Sequence, residues 1–232
     1  RHDQYPERTQ PRISRMNNKN QNLPKGWVWV KLGEVCELYQ PKTISIKELK
    51  SNGEYFVYGA NGIIGKYDKY NHEEEELIIT CRGASCGNTH ITKPKSWING
   101  NAMVVKPFNK LLLDINFLSH ALKSDNRIVK TITGTAQPQI TQTSLFSLTI
   151  PLPSLAEQHR IVAKIEELFS SLDKAVERLK ATREQLKIYR QAVLKWAFEG
   201  RFTHKDIKQG ELPEGWVWVK LGEVCKLKNG YA

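Results

Sequence analysis

Residues 151–200 read PLPSLAEQHRIVAKIEELFSSLDKAVERLKATREQLKIYRQAVLKWAFEG, and this stretch decides the architecture. Pro151-Leu152-Pro153 ends whatever precedes it, and Ser154-Leu155-Ala156-Glu157 is a capping box that opens a helix. One apolar stripe then runs through Ile161, Ile165, Leu168, Leu172, Ala175, Leu179, Thr182, Leu186, Tyr189, Val193 and Trp196. Its steps alternate four and three for five heptads, with no Gly or Pro before Gly200. That spacing is a coiled-coil seam. At a rise of about 1.5 Å per residue the helix is on the order of 60–65 Å long. A compact domain of ~130 residues is only about 30 Å across, so the seam outruns its own domain. The sequence offers no second long helix to cover it, and another chain is therefore the expected partner. The predicted interface is Ile161, Ile165, Leu168, Leu172, Leu179, Leu186, Tyr189, Val193 and Trp196.

Upstream and downstream of this helix one sentence of sequence is written twice. LPKGWVWVKLGEVCEL at 23–38 returns as LPEGWVWVKLGEVCKL at 212–227, identical at fourteen of sixteen positions and offset by 189. The period exceeds any solenoid unit and marks a duplicated module, complete once and then begun again. Leu-Pro-x-Gly is a turn signal, because Pro fixes φ and Gly accepts positive φ. Trp-Val-Trp-Val suits a short strand. Leu-Gly-Glu-Val can open a helix or a second strand.

The 23–150 stretch reads as a mixed, strand-rich domain. Tyr55–Tyr58, Leu77–Thr80 and Asn101–Val105 are strand candidates, and Leu111–Lys123 has helical spacing. Gly59-Ala60-Asn61-Gly62-Ile63-Ile64-Gly65 reads as a tight glycine turn, and Leu145–Pro151 as the strand that closes the domain. The expected class is α+β: a strand-rich head at 23–150 and one long helix at 151–201. A linker and truncated second opening follow at 202–232. Residues 1–22 are polar and aperiodic, read as a disordered basic tail in which Met16 can be the natural start.

In their order, these pieces resemble the specificity subunits of type I restriction–modification systems. The resemblance is carried by Leu23–Leu38, Gly59–Tyr67, Thr133-Gly134-Thr135 and Pro151-x-Pro-x-x-x-Glu157-Gln158 leading into the helix. The Glu199-Gly200 end and the reopening at Leu212 complete it. It implies a target-recognition domain and a conserved-region helix that pairs antiparallel with a second such helix. It further implies double-stranded DNA as ligand and methyltransferase and restriction subunits as partners, with His159, Arg160, Glu166 and Glu167 on the surface that receives the methyltransferase. This chain has one recognition domain and one helix where the family has two of each. A homodimer would restore the missing half and read two inverted half-sites.

Charge and motif chemistry bear on the same reading. Against 24 acids stand 35 Lys and Arg, a net +11. The excess is +3 in 1–22, +4 in 23–150, +4 in 151–210 and zero in 211–232, so it is no dense basic tail. Base-edge and phosphate contacts are expected from Asn61, Lys66, Tyr67, Arg82, Lys93, Lys95, Gln137 and Gln139, polar or basic residues in loops rich in Gly and Pro. No P-loop Lys-Ser/Thr follows the glycines, no Asn-Pro-Pro-Tyr or Asp-Pro-Pro-Tyr is present, and upstream of Glu48-Leu49-Lys50 the sole Asp is Asp3 in the tail, so the Asp of a nuclease site is missing. Glu73–Glu76 reads as a solvated turn. Cys36, Cys81, Cys86 and Cys225 have neither disulfide-scaffold density nor zinc spacing, even with His90 nearby. No cofactor, no metal and no catalysis by this chain alone are expected. No apolar run is long enough to span a membrane, and a cytoplasmic address is expected. The reading from another class is a coiled-coil scaffold whose head binds protein or RNA.

Overall fold

A computed structural model describes residues 23–60, 62–124, 127–134, 138–208, 210–226, 228 and 230. The 1–22 tail, Asn61 and Gln137 thus lie outside the described residues. Two compact units divide the chain, 1–166 and 167–232.

Nine strands lie among the described residues of the first unit. The repeat's first copy supplies β1 (Val28–Lys31), a one-turn helix α1 (Leu32–Val35) and β2 (Cys36–Tyr39). Strands β3 (Tyr55–Gly59), β4 (Gly62–Tyr67), β5 (Leu77–Thr80), β6 (Thr89–Ile91), β7 (Trp97–Ile98) and β8 (Ala102–Pro107) follow. Then come helices α2 (Ile115–Ser124), α3 (Arg127–Lys130) and α4 (Gln142–Phe146), strand β9 (Thr149–Leu152) and the long α5 (Leu155–Phe198).

The central sheet runs β2-β8-β5-β6, antiparallel throughout. One of its two inner strands, β5, is Leu-Ile-Ile-Thr and buried at every residue, which is what an apolar run without alternation requires. On one face Leu77 and Ile79 join Val105, Leu118, Leu122 and Ile150 in the main core. On the other, Ile78 and Val104 pack with Tyr58 and Ile98, which come from the second sheet, β4-β3-β7. A third, two-stranded ribbon pairs β1 with β9, so the first and last strands of the head are hydrogen-bonded neighbours. Helix α2 buries Phe117, Leu118 and Leu122, and its first turn is capped by Asp114, whose Oδ1 accepts from Phe117 N–H at 2.8 Å.

Three expectations change in detail. The glycine run is a hairpin, not an isolated turn: β3 and β4 pair across it with a bulge between Val57 and Tyr58. Only Gly62 needs positive φ (+81°); Gly59 instead leaves room for the Ile64 side chain. The closing strand begins at Thr149, because Leu145 and Phe146 sit in α4, capped by Thr141. Leu-Gly-Glu-Val, undecided from sequence, is a helical turn in both copies, and among the described residues a strand follows it only in the first.

Helix α5 begins in the first unit and ends in the second. Its first turns belong to the head: Gln158 is fully buried, and Ile161 and Val162 pack against the main core. In the second unit the helix closes at Gly200, in the left-handed region at φ +75°, with Pro213 seated over its α-carbon. Arg201 lies over the Trp196 ring at 4.8 Å, and Phe202 meets the same ring edge-on at 6.4 Å. One further helical turn, α6 (Leu221–Val224), lies in the repeat's second copy.

Candidate nucleic-acid interface

The β3–β4 hairpin organises the basic side chains of the head. Phe56 and Lys66 are direct cross-strand partners, and Lys66 Nζ lies 5.6 Å from the Phe56 ring centroid. Lys93, on the segment after β6, brings its Nζ to 4.6 Å from the same ring, while its backbone N–H donates to Tyr58 Oη at 3.0 Å. One half-buried ring therefore gathers two ammonium groups. Among the described residues neither lysine is in an ion pair with a carboxylate, which leaves both ammonium groups open to a phosphate. Tyr67 is held edge-on against Trp97 at 5.4 Å, a packing role for its ring.

A second polar group forms where three loops meet. Ala60 C=O accepts from Thr80 Oγ1 at 2.6 Å and from Ser85 Oγ at 2.8 Å, which fastens the hairpin end to the Cys81–Gly87 loop. That loop is bridged in turn to the segment around Gln139: Arg82 and Gln139 are β-bridge partners, and Ile140 N–H donates to Cys81 C=O at 3.0 Å. Arg82 and Gln139 are both exposed, side by side on neighbouring backbones. A guanidinium and an amide are the pair of groups that read base edges bidentately.

Lys95 falls elsewhere. It sits at φ +51° with its Nζ 4.0 Å from Glu73 Oε1. The acidic run is a lysine-neutralised ridge: Glu74 pairs with Lys110, and Glu76, nearly buried, with Lys106 at 3.1 Å. Burial raises the Glu76 carboxyl above its usual range, opposed by Lys106. Nearby, buried His72 donates or accepts between Tyr39 Oη at 3.0 Å and Asn71 Oδ1 at 2.6 Å. Burial, assisted by Lys106, pushes its imidazole down to about 4. The ring is a neutral strut between sheets.

The structure thus brings Lys66 and Lys93 together, and Arg82 with Gln139; it turns Tyr67 and Lys95 to other partners. Sequence reading missed Phe56. Its place opposite Lys66 follows from hairpin register, which loop composition does not reveal.

The seam shows a different state. Ile161 is taken by the head, and Ile165 and Val193 are half-buried, while Leu168, Leu172, Leu179, Leu186, Tyr189 and Trp196 are exposed along α5. His159, Arg160, Glu166 and Glu167 are exposed as well. His159 Nε2 lies 3.8 Å from Asp114 Oδ2.

A head whose first and last strands pair, continued into one long helix, has known counterparts. The model of the type I restriction modification DNA specificity domain matches residues 24–186, most of the chain. The chain belongs to that family. The match runs through both the head and the helix, which is where the sequence resemblance located it. The MjaVIII specificity subunit of Methanocaldococcus jannaschii is 26% identical over 90% of this chain and 51% of its own length. The EcoBI specificity subunit of Escherichia coli is 34% identical over 75% of this chain and 36% of its own. Among solved structures, the HsdS subunit from Thermoanaerobacter tengcongensis aligns with a TM-score of 0.57 at 25% identity, covering 79% of this chain and 48% of that one. A structure solved for complex assembly and conformational transition of the type I R-M system aligns at a TM-score of 0.60, also 25% identical, with 79% and 48% covered. This specificity-domain chain spans about half the length, or less, of these relatives.

Proposed function

We propose that this chain is a sequence-specific DNA-recognition subunit of a type I restriction–modification complex. Two copies pair through α5 to read a bipartite site and dock methyltransferase and restriction subunits. The chain itself does no chemistry; it positions enzymes that do. The observation that carries the reading is the uncovered heptad stripe on a 44-residue helix that starts from a family-matched head. An apolar stripe of that length left in water favours association, and two-fold pairing presents two identical heads at a fixed separation. On each head Lys66 and Lys93 supply phosphate contacts, and Arg82 and Gln139 supply base contacts. Asn61 and Gln137, from the sequence reading, stay in the proposed contact set.

The test is a gel shift of the protein with its methyltransferase partner on random duplexes, with sedimentation alongside. Enrichment of an inverted bipartite motif and a dimer at micromolar concentration are expected. Leu179→Asp should lower dimer stability by about 2–3 kcal/mol per chain, as for loss of a buried Leu, with no change in the monomer. A monomeric wild-type protein, or no enriched motif, overturns the reading.

A further inference from the structure

Residues 23–38 and 212–227 differ only at Lys25/Glu214 and Glu37/Lys226, and both positions are exposed in the seated copy. Every residue that the head buries is therefore repeated without change. The two copies also share one local backbone. Lys31 and Lys220 have the same extended geometry, with φ −76° in both and ψ 140° and 138°. Gly26 and Gly215 both take positive φ, at +89° and +84°. Glu34 and Glu223 close the same short loop onto the backbone N–H of Lys31 and Lys220, at 3.3 and 3.4 Å.

Their surroundings are opposite. Trp29 is 7% exposed and Trp218 77%; Leu32 is 0% and Leu221 61%; Val35 is 1% and Val224 61%. The seat of the first copy is defined: β9 gives Val30↔Ile150 and Lys31↔Thr149, Leu32 N–H donates to Leu148 C=O at 2.7 Å, and Gly33 admits the Phe146 ring. A preformed segment with the same buried residues fits that seat.

We propose that residues 212–225 dock on the β9 seat of a second copy of this chain, in competition with that copy's own residues 23–36. The proposal uses the paired-chain reading above only to bring two copies together. Charge sets how far the match extends. Glu37 faces Lys106 across β2 and β8, and Lys226 would place like charges there, so the exchanged segment engages through Cys225 and no further. Its rival is covalently continuous with β2 and enjoys a high effective concentration, so exchange grows as the resident segment is weakened.

Disulfide trapping between two full-length chains tests this. One carries Lys220→Cys, the other Thr149→Cys, and both carry Cys225→Ser to remove the exposed native thiol. The expected result is a linked heterodimer in several-fold excess over a control with Lys208→Cys in place of Lys220→Cys. Val30→Ala in the second chain should raise the yield, and Leu221→Asp in the first should abolish it. A yield equal to the control, or indifferent to Leu221→Asp, overturns the proposal. So does a chain carrying both cysteines that links only within itself. Sedimentation of the same samples separates the two readings. A dimer without the Leu221-dependent link sinks the exchange alone, and the link at raised concentration in an otherwise monomeric protein sinks the helix pairing alone. Monomers with no link sink both.

Discussion

Gln158 is the joint between helix and head, and its removal has a calculable cost. It is fully buried in the first turn of α5. Its Oε1 accepts from Asp114 N–H at 2.8 Å, and its Nε2 donates to Leu112 C=O at 2.9 Å and Pro153 C=O at 3.0 Å. Asp114 is also the cap of α2, so one amide ties α5 to the helix that floors the core. Gln158→Leu keeps the volume and strands one N–H and two carbonyls. A stranded donor costs about 1–3 kcal/mol and each under-satisfied carbonyl roughly 1, for about 3–5 kcal/mol in all. That is a large share of the 5–15 kcal/mol typical of a domain. With a urea m-value of about 2 kcal/mol/M, the unfolding midpoint should fall by roughly 2 M. Gln158→Glu adds a sign. It loses the donor and faces its carboxylate to two carbonyls, so its folded pKa lies above the unfolded ~4.3. The variant must therefore lose stability as pH rises from about 4.3 to that folded value, and be worse at pH 8 than at pH 5. A midpoint shift below about 0.5 M for Gln158→Leu would show that the amide is replaceable and the joint lies elsewhere.

Other outcomes follow from the same geometry. The His72 imidazole is pushed down to about 4, so the folded head favours the neutral ring. Stability should be full above the unfolded pKa of about 6.5 and decline as pH falls from there toward 4; His72→Asn should flatten that slope in urea titrations. Gly33→Ala puts a methyl 2.0 Å from the Phe146 ring and should destabilise the head by about 1–3 kcal/mol as the ring is forced out. Gly222→Ala, with nothing within 4 Å, should be neutral when both variants are compared by thermal melt. Lys66→Ala and Lys93→Ala should each lower the slope of log affinity against log salt by about 1 on any duplex, whereas Lys95→Ala, paired with Glu73, should change it less.

What the sequence made legible was whatever repeats at short range. The four-three alternation from Ile161 to Trp196 is a property of the helix alone, and the helix is there from Leu155 to Phe198. The strands Tyr55–Gly59 and Leu77–Thr80 announced themselves by aromatic and β-branched runs. Strand β4 did not, because Gly62-Ile63-Ile64-Gly65 carries turn composition and becomes a strand only by pairing with β3. The fate of Ile161 was illegible for the same reason: the heptad assigns it to the seam, but the core of the head reaches it first. The interface suffered most. Loop composition put forward Lys66, Lys93, Arg82 and Gln139 as candidates, and grouped them with Lys95, whose ion pair with Glu73 depends on a contact across a turn.

The duplicated segment separates local from tertiary causes within one molecule. Leu32–Val35 and Leu221–Val224 are both helical, because the closing bond, Cys225 N–H to Leu221 C=O at 2.9 Å in the second copy, lies inside the segment. Val28–Lys31 is a strand and residues 217–220 are not, because a strand's bonds belong to its neighbour, and here that neighbour is Thr149–Leu152. Burial follows the strand. Seating Trp29, Val30, Leu32 and Val35 is worth about 1.5–3 kcal/mol for each fully buried side chain, and the second copy forgoes all of it in water. A free segment would lose much of that gain to association entropy, at least about 4 kcal/mol. At ordinary concentration the tether that α5 pairing supplies therefore favours exchange between copies, and a variant that breaks the seam, Leu179→Asp, should weaken the trapped link even though it touches neither segment.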